Sequence, residues 1–360
     1  MNKQQLIVEL QSAGLKLASS EIGAVGRMGG AGPSDHKAVT IEDTTVMVPI
    51  FNSPAANSPY TVISSSGEQR LQLNGQDIGV VSFPQAPKFY SLTTSDGIPY
   101  KQIALLHSKD VLATTVLQTC IRYGDSTTSC QFCAFGQSLA TGRTIASKTP
   151  AQLAEVAEAA VRLDGVKHMV MTTGTPLASD RGASYLTQCA QAIKAKVNIP
   201  IQAQCEPPED FVWFERMHTA GIDSLGMHLE AVEEIVRAKI MPGKATVSVD
   251  YYFQAFAAAV KVFGWGQVST YLLAGLGDSL ESLVSMSDRL IQIGVYPFVV
   301  PFVPITGTPL ANHPTPSSEW TRALYQEVSQ LLQRAGMSAA DIKAGCAKCG
   351  ACSAMQSFAP

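Results

Sequence analysis

The chain has 360 residues, of which 46% are hydrophobic and only 15% charged, and a formal net charge of −3; soluble proteins average about 25% charged residues. This predicts a large core with much surface in clefts or interfaces. It also argues against a nucleic-acid partner, because phosphate contacts need a basic footprint and the chain has no Lys/Arg run. Met1 to Glu9 predicts an amphipathic helix with Glu9 inside it, and no secretory leader. The Gly-rich stretch Gly23 to Gly32 lacks the Gly-Lys-Ser/Thr of a phosphate loop and reads as a plain loop or as a cover for a site. Thr45–Ile50, Tyr60–Ile63 and Gly79–Phe83 are short strand runs between Asn, Ser, Gly and Pro clusters, so residues 1–110 are expected to form a small α+β domain rich in strands. From Leu112 strands and helices alternate. Thr149, Pro150 and Gln152 form a capping box ahead of a helix. Strands are expected near Leu112, Val166–Thr172, Pro200–Cys205, Ile222–His228, Val268–Ala274 and Phe298–Val303. Such a series makes a parallel α/β sheet that closes naturally into a TIM-type barrel over residues 111–310, with its chemistry at the C-terminal strand ends. Residues 311–360 hold one helix, Trp320 to Ala335, and a cysteine-rich tail. The longest apolar run, around Val295 to Ile305, carries three prolines and is too short to cross a bilayer. No membrane partner is expected.

Alternation within the strands says which side chains enter the barrel. Gln202, Gln204 and Glu206 share one face and Ala203 and Cys205 the other. The outer face packs on helices and must be apolar, so the polar face is expected inside and Cys205 in the core. The same logic turns Ser224, Gly226, His228 and Glu230 inward. Pro297, Pro301 and Pro304 suit an edge strand. Cys189, in a helical segment, is expected to be a buried thiol.

Six of the eight cysteines fall in two tight groups, Cys120/Cys130/Cys133 and Cys346/Cys349/Cys352, which suggests metal ligands in a reducing, cytoplasmic setting. Three thiolates can hold three irons of a [4Fe–4S] cube and leave the fourth open to a cofactor or substrate. A closed zinc site normally wants four ligands, although zinc or plain buried thiols also fit the spacing. For the tail group a second iron–sulfur cluster, zinc and redox-active thiols all stand as readings.

With Phe132 just before its last cysteine, the first group resembles the cluster loop of the radical S-adenosylmethionine (SAM) enzymes, although nine residues fill a first gap where that family usually has three. The region 112–310 resembles the family's partial (β/α)6 barrel, closest to the biotin synthase and lipoyl synthase branch. Thr172, Thr173, Gly174 and Thr175 stand where the family binds the SAM amino group. Met227-His-Leu-Glu230 resembles its ribose-binding segment, so His228 and Glu230 take that role. Tyr271 to Asp278 resembles the segment flanking the adenine, which points to Ala274 and Gly275. Gln204 and Glu206 fall among the cofactor-binding positions by their inward face. Arg237 or Lys244 is either a solvated helix charge or the partner of the SAM carboxylate, and Arg237 is taken as that partner. The sixth-strand ending Pro301 to Leu310 is similar to that of biotin synthase. The whole chain looks like a subgroup of radical SAM proteins encoded beside nitrilases.

The resemblance implies an enzyme that reductively cleaves SAM at a [4Fe–4S] cluster to a 5′-deoxyadenosyl radical, which takes hydrogen from a small-molecule substrate. It also implies an electron donor of flavodoxin or ferredoxin type. No residue of the chain is assigned as catalytic. A sulfur-inserting or methylthio-transferring enzyme with the tail cluster as sulfur donor, and a non-catalytic iron–sulfur electron carrier, are the other readings. The N-terminal domain and the cysteine tail are both candidates for a cover over the barrel mouth.

Overall fold

The computed structural model describes residues 2–18 and 35–358, so the Gly23–Gly32 stretch lies outside the described residues. The helix Lys3–Ala13 is capped by Asn2, whose side chain accepts from Gln5 N, and ends at Gly14. Gly14 has φ 71°, and a Cβ there would stand 2.7 Å from that of Ala55, so a side chain is barred twice over. The helix buries Ile7, Val8 and Leu10.

Six strands follow: β1 (Lys16–Leu17), β2 (His36–Ile41), β3 (Thr44–Pro49), β4 (Tyr60–Ser65), β5 (Glu68–Leu73) and β6 (Gln76–Ser82). They form one sheet in the order β1-β4-β5-β6-β2-β3. Its hairpins rest on two-residue turns. Asn74-Gly75 joins β5 to β6 with φ 50° and 83°, the left-handed pair that a type I′ turn demands.

The second sheet has seven strands: β7 (Leu105–His107), β8 (Val111–Thr115), β9 (His168–Thr172), β10 (Ile201–Gln204), β11 (Ser224–Gly226), β12 (Val268–Ala274) and β13 (Val295–Pro301). Their order is β13-β12-β11-β10-β9-β8-β7. Strands β8 to β13 run parallel, each beside its sequence neighbour, as the alternation predicts. The sheet also takes up β7, antiparallel to β8, ahead of the first expected strand. β7 and β13 do not pair with each other, so the sheet is a curled half-barrel with an open side. Pro297 and Pro301 lie on its edge strand, where a missing N–H costs least.

The connecting helices carry the expected signals. Pro150–Asp164 has the complete Thr149/Gln152 capping box and ends at Gly165 with φ 64°. Ser248, Ser279 and Ser317 each cap a later helix through their hydroxyl. Cys189 is fully buried, in the helix Ala183–Lys194. No helix among the described residues is long and apolar enough to cross a membrane.

Of the two candidates for a cover, the tail does not lie over the barrel mouth. It enters the barrel from the opposite end, at the N-terminal ends of the strands. Gln267, just before β12, donates to Asp341 O and accepts from Lys343 N. Ser224, which opens β11, donates to Ala344 O at 2.8 Å, and His168, which opens β9, accepts from Gly345 N. Beyond the cysteines, Ala351 O accepts from Met47 N of β3 and from the Gln11 amide. The tail is therefore a floor, tied on one side to the barrel and on the other to the N-terminal sheet and helix.

One buried charge has a stability consequence. Lys148 is 1% exposed and donates to Ile145 O at 3.1 Å. Burial pulls its pKa down from 10.5 to about 7. Between those values the unfolded chain holds a proton that the folded chain lacks, so stability rises with pH across that window. Lys148→Met is expected to flatten that rise and to stabilise the fold at pH 7 by on the order of 1–3 kcal/mol. Denaturant titrations at several pH values check it, and an unchanged pH slope would refute it.

Candidate cofactor site at the barrel mouth

A cavity of about 310 Å³ opens at the C-terminal ends of the parallel strands, walled by Thr115, Thr172, Gln204, Leu273 and Pro301 among others. The loop after β8 brings Cys120, Cys130, Phe132 and Cys133 into this one cavity. The residues of the long first gap form a bulge braced by its own polar groups. The Thr128 and Ser129 hydroxyls donate to Arg122 O at 3.0 and 2.9 Å, and Asp125 accepts from Thr127 N at 2.8 Å. Gly243 presses against the bulge so closely that a Cβ would stand 2.5 Å from Thr128 O.

The Arg122 side chain turns inward from the bulge and grips Glu206 with both arms, at 3.0 and 2.8 Å, while also bonding the Gly243 carbonyl. Thr175 donates to the same carboxylate at 2.8 Å. Burial pushes the Glu206 carboxyl up, but the Arg122 hydrogen bonds outweigh it, so the group stays ionised below its usual range. Gly174 lies against the backbone leading into Cys120, where a Cβ would come within 2.1 Å of Thr119 O. Ile121 N donates to Thr175 O. The end of β9 and the start of the cysteine loop are thus one joined surface.

Glu230 and Lys244 form a second pair across the cavity, 2.8 Å apart, with side chains only 14% and 9% exposed. Burial opposes the Lys244 charge, but Glu230, Tyr252, Glu206 and Cys130 together hold its pKa above the usual lysine value. Glu230 has φ 65°, a left-handed conformation unusual for a residue with a side chain. It is locked there by bonds from Glu230 N to Tyr271 O and from Leu273 N to Glu230 O, which rejoin the chain to β12.

His228 lines the cavity and stacks on Tyr271, with ring centroids 4.3 Å apart and planes at 13°. Its Nδ1 accepts from Tyr271 N, which assigns the proton to Nε2. Burial, helped by Lys244, pulls its pKa down to about 3, so the imidazole is neutral. Nε2 is buried and has no partner among the described residues. That leaves a donor without an acceptor in the wall of the cavity, a place for a ligand oxygen.

The arrangement fits an iron–sulfur cofactor bound with a polar organic one. Burial pushes Cys130 and Cys133 up, the latter to about 12, so their thiolates need a metal to form. No three His, Cys, Asp or Glu side chains among the described residues close on one point tightly enough for a single metal ion. A four-iron cube instead spreads its ligands over separate iron corners.

Several expected site residues are placed elsewhere. Arg237 does not reach the cavity: its guanidinium donates to Leu229 O, Ala231 O and Val247 O and lies over the Tyr252 ring. Those three carbonyls hold it away from the cavity, and Lys244 is the cation that lines the site. Ala274 and Gly275 are not in the cavity wall either: alternation along β12 turns Tyr271 and Leu273 inward and Ala274 outward, and Gly275 lies past the strand end. Gly275 instead packs against Pro316, and its carbonyl bonds His313. Gln204 lines the cavity, yet its amide nitrogen donates to Gln202 and to the Cys346 sulfur. Cys205 is buried at the cavity wall and belongs to the core cluster. Arg122 is the site residue that sequence reasoning missed; its position inside the cysteine loop was the available signal.

An open half-barrel with a three-cysteine loop at the C-terminal strand ends defines a cofactor-dependent enzyme. Residues 125–290 match the family model of the radical SAM superfamily, a match that takes in Cys130 and Cys133 and begins after Cys120. The chain is also 25% identical, over 301 residues, to the bacteriochlorophyllide c C-7(1)-hydroxylase of Chlorobaculum limnaeum, covering 76% of this chain and 73% of that one. The chain carries a radical SAM domain and is an enzyme of the radical SAM class, whose cofactors are a [4Fe–4S] cluster and SAM. Among solved structures it is similar to methylornithine synthase, at 18% identity and a TM-score of 0.47, over 64% of this chain and 65% of that one. It is similar as well to a radical SAM methyltransferase from Sphaerobacter thermophilus, at 15% identity and a TM-score of 0.47, over 84% and 83% of the two chains. The chain spans less than two thirds of the methylornithine synthase.

Proposed function

We propose that the chain binds SAM at a [4Fe–4S] cluster held by Cys120, Cys130 and Cys133 and acts on a C–H bond of a small-molecule substrate in a nitrile-related pathway. The observation that carries this is the meeting of the three cysteines with Thr172–Thr175, Glu206, His228 and Glu230 in one cavity. When bound, the cluster and SAM supply one-electron cleavage of the sulfonium and hydrogen abstraction from an unactivated carbon.

The chain's own residues bind, orient and shield. Thr172–Thr175 takes the amino end of SAM, beside the Arg122–Glu206 pair that fixes the segment. Lys244 replaces Arg237 as the cation for the carboxylate. The His228 Nε2–H donates to the ribose and Glu230 accepts from it, a complementary pair for a diol. Phe132, Leu273, Phe302 and Ile305 give the cavity its apolar wall and keep water from the reacting carbon.

The sixth-strand ending and the three-cysteine tail support placing the chain in the biotin synthase-like branch, within the subgroup encoded beside nitrilases. An electron donor of flavodoxin or ferredoxin type completes the scheme in the cytoplasm. The test is anaerobic reconstitution with iron and sulfide counting, followed by assay of 5′-deoxyadenosine under dithionite with and without nitrile-pathway metabolites. Formation of 5′-deoxyadenosine that a nitrile-pathway metabolite accelerates is the expected result. A reconstituted cluster that never cleaves SAM would refute the reading.

A further inference from the structure

The polar face of β10 and β11, which suits a small polar ligand, is occupied by the tail. Gln202 bonds Cys346 N and Ser269, Gln204 bonds the Cys346 sulfur, and Ser224 bonds Ala344 O. Gly345 comes so close that a Cβ would stand 2.2 Å from the Gln202 amide. This insertion carries three cysteines into the barrel.

Tyr271 stands between the tail and the mouth: its hydroxyl hydrogen-bonds the Cys346 sulfur, and its side chain lines the mouth cavity together with Cys352. The wall beside Cys346 and Cys349 is made of the small side chains Val111, Ala113 and Val170. Cys352 has a further neighbour from β7, with its sulfur 3.4 Å from His107 Nε2. Cys352 lines the mouth cavity, while Cys349 lines a second cavity of about 440 Å³ at the far end of the barrel, with Ser108, His168 and Lys348.

We propose that Cys346, Cys349 and Cys352, with His107 as fourth ligand, hold a second [4Fe–4S] cluster in the barrel floor, linked to the SAM cavity by Tyr271. Three soft thiolates in a reducing setting select an iron–sulfur group, and a neutral imidazole completes its fourth corner. Tyr271 stacks on His228 with its ring and touches the tail sulfur with its hydroxyl, so one side chain spans both sites. The ligand assignment stands without the SAM reading; only the role of Tyr271 as a link rests on it.

The test uses the full chain with Cys120, Cys130 and Cys133 all replaced by Ala, reconstituted anaerobically, so that any remaining iron belongs to the tail whatever becomes of SAM cleavage. About four irons and four sulfides per chain are expected, with an electron paramagnetic resonance signal on reduction. In that background His107→Cys should keep the iron and lower the midpoint potential, because histidine ligation raises it. His107→Ala should change the signal. One zinc or no metal per chain, in a protein whose circular dichroism is native, would overturn the second cluster. A potential and signal unmoved by both His107 variants would overturn the histidine. Should the triple variant fail to fold, the intact chain gives the same decision: about eight irons, falling to about four when the tail cysteines become Ala, against about four in both.

Discussion

Replacing Cys120, Cys130 and Cys133 together by alanine is expected to abolish 5′-deoxyadenosine formation and to remove about four irons per chain. The fold should survive. All three residues are only partly buried, and the bulge between the first two is held by Arg122, Asp125, Thr128 and Ser129 rather than by sulfur. Each single replacement should be nearly as damaging, because a cube bound through two cysteines has a second labile corner. The measurement is iron content beside 5′-deoxyadenosine under dithionite, with circular dichroism as the control for folding. Continued production of 5′-deoxyadenosine by the triple variant would remove the cluster assignment.

Glu230→Gln is expected to weaken SAM binding by about 10-fold or more, the value of one charge-assisted hydrogen bond of roughly 1.5–3 kcal/mol, while the cluster spectrum stays unchanged. It should also destabilise the chain, since Lys244 loses its 2.8 Å partner inside the cavity. Removing one member of a buried ion pair costs about 3–5 kcal/mol; Glu206, which also acts on Lys244, reduces that here. The double variant Glu230→Gln/Lys244→Met should regain stability without regaining SAM affinity, which separates the two roles. Calorimetric titration of SAM into the reconstituted proteins reads the affinity, and denaturant unfolding reads the stability. Undiminished affinity in both Glu230→Gln and His228→Ala would dispose of the ribose assignment.

What could be read from the sequence was what local pattern determines. The six parallel strands, the Thr149/Gln152 cap and the inward face Gln202/Gln204/Glu206 follow from periods and from short-range hydrogen bonding. Tertiary pairing decided the rest. Arg237 and Lys244 lie close together in sequence, and no periodicity says that carbonyls from two separate turns absorb the first while the second faces Glu230. Ala274 sits one step out of phase with Tyr271 and Leu273, which pleat alone could have shown, while Gly275 lies just past the end of β12. His107 gave no signal because its strand is only three residues long. Nor could the direction of the tail be read, since it depends on partners in β9, β10 and β11 far away along the chain.

The bonds from Met47 N and Gln11 to Ala351 O join the N-terminal sheet and helix to the segment beyond the tail cysteines. Ala351 lies 340 residues after Gln11, so it is synthesised long after the helix and the strands it touches. The half-barrel therefore emerges without a base, with His168, Gln202 and Ser224 still facing water, and is completed only when the tail threads in beneath it. The base of the barrel is in this sense set by a segment made after the strands it covers.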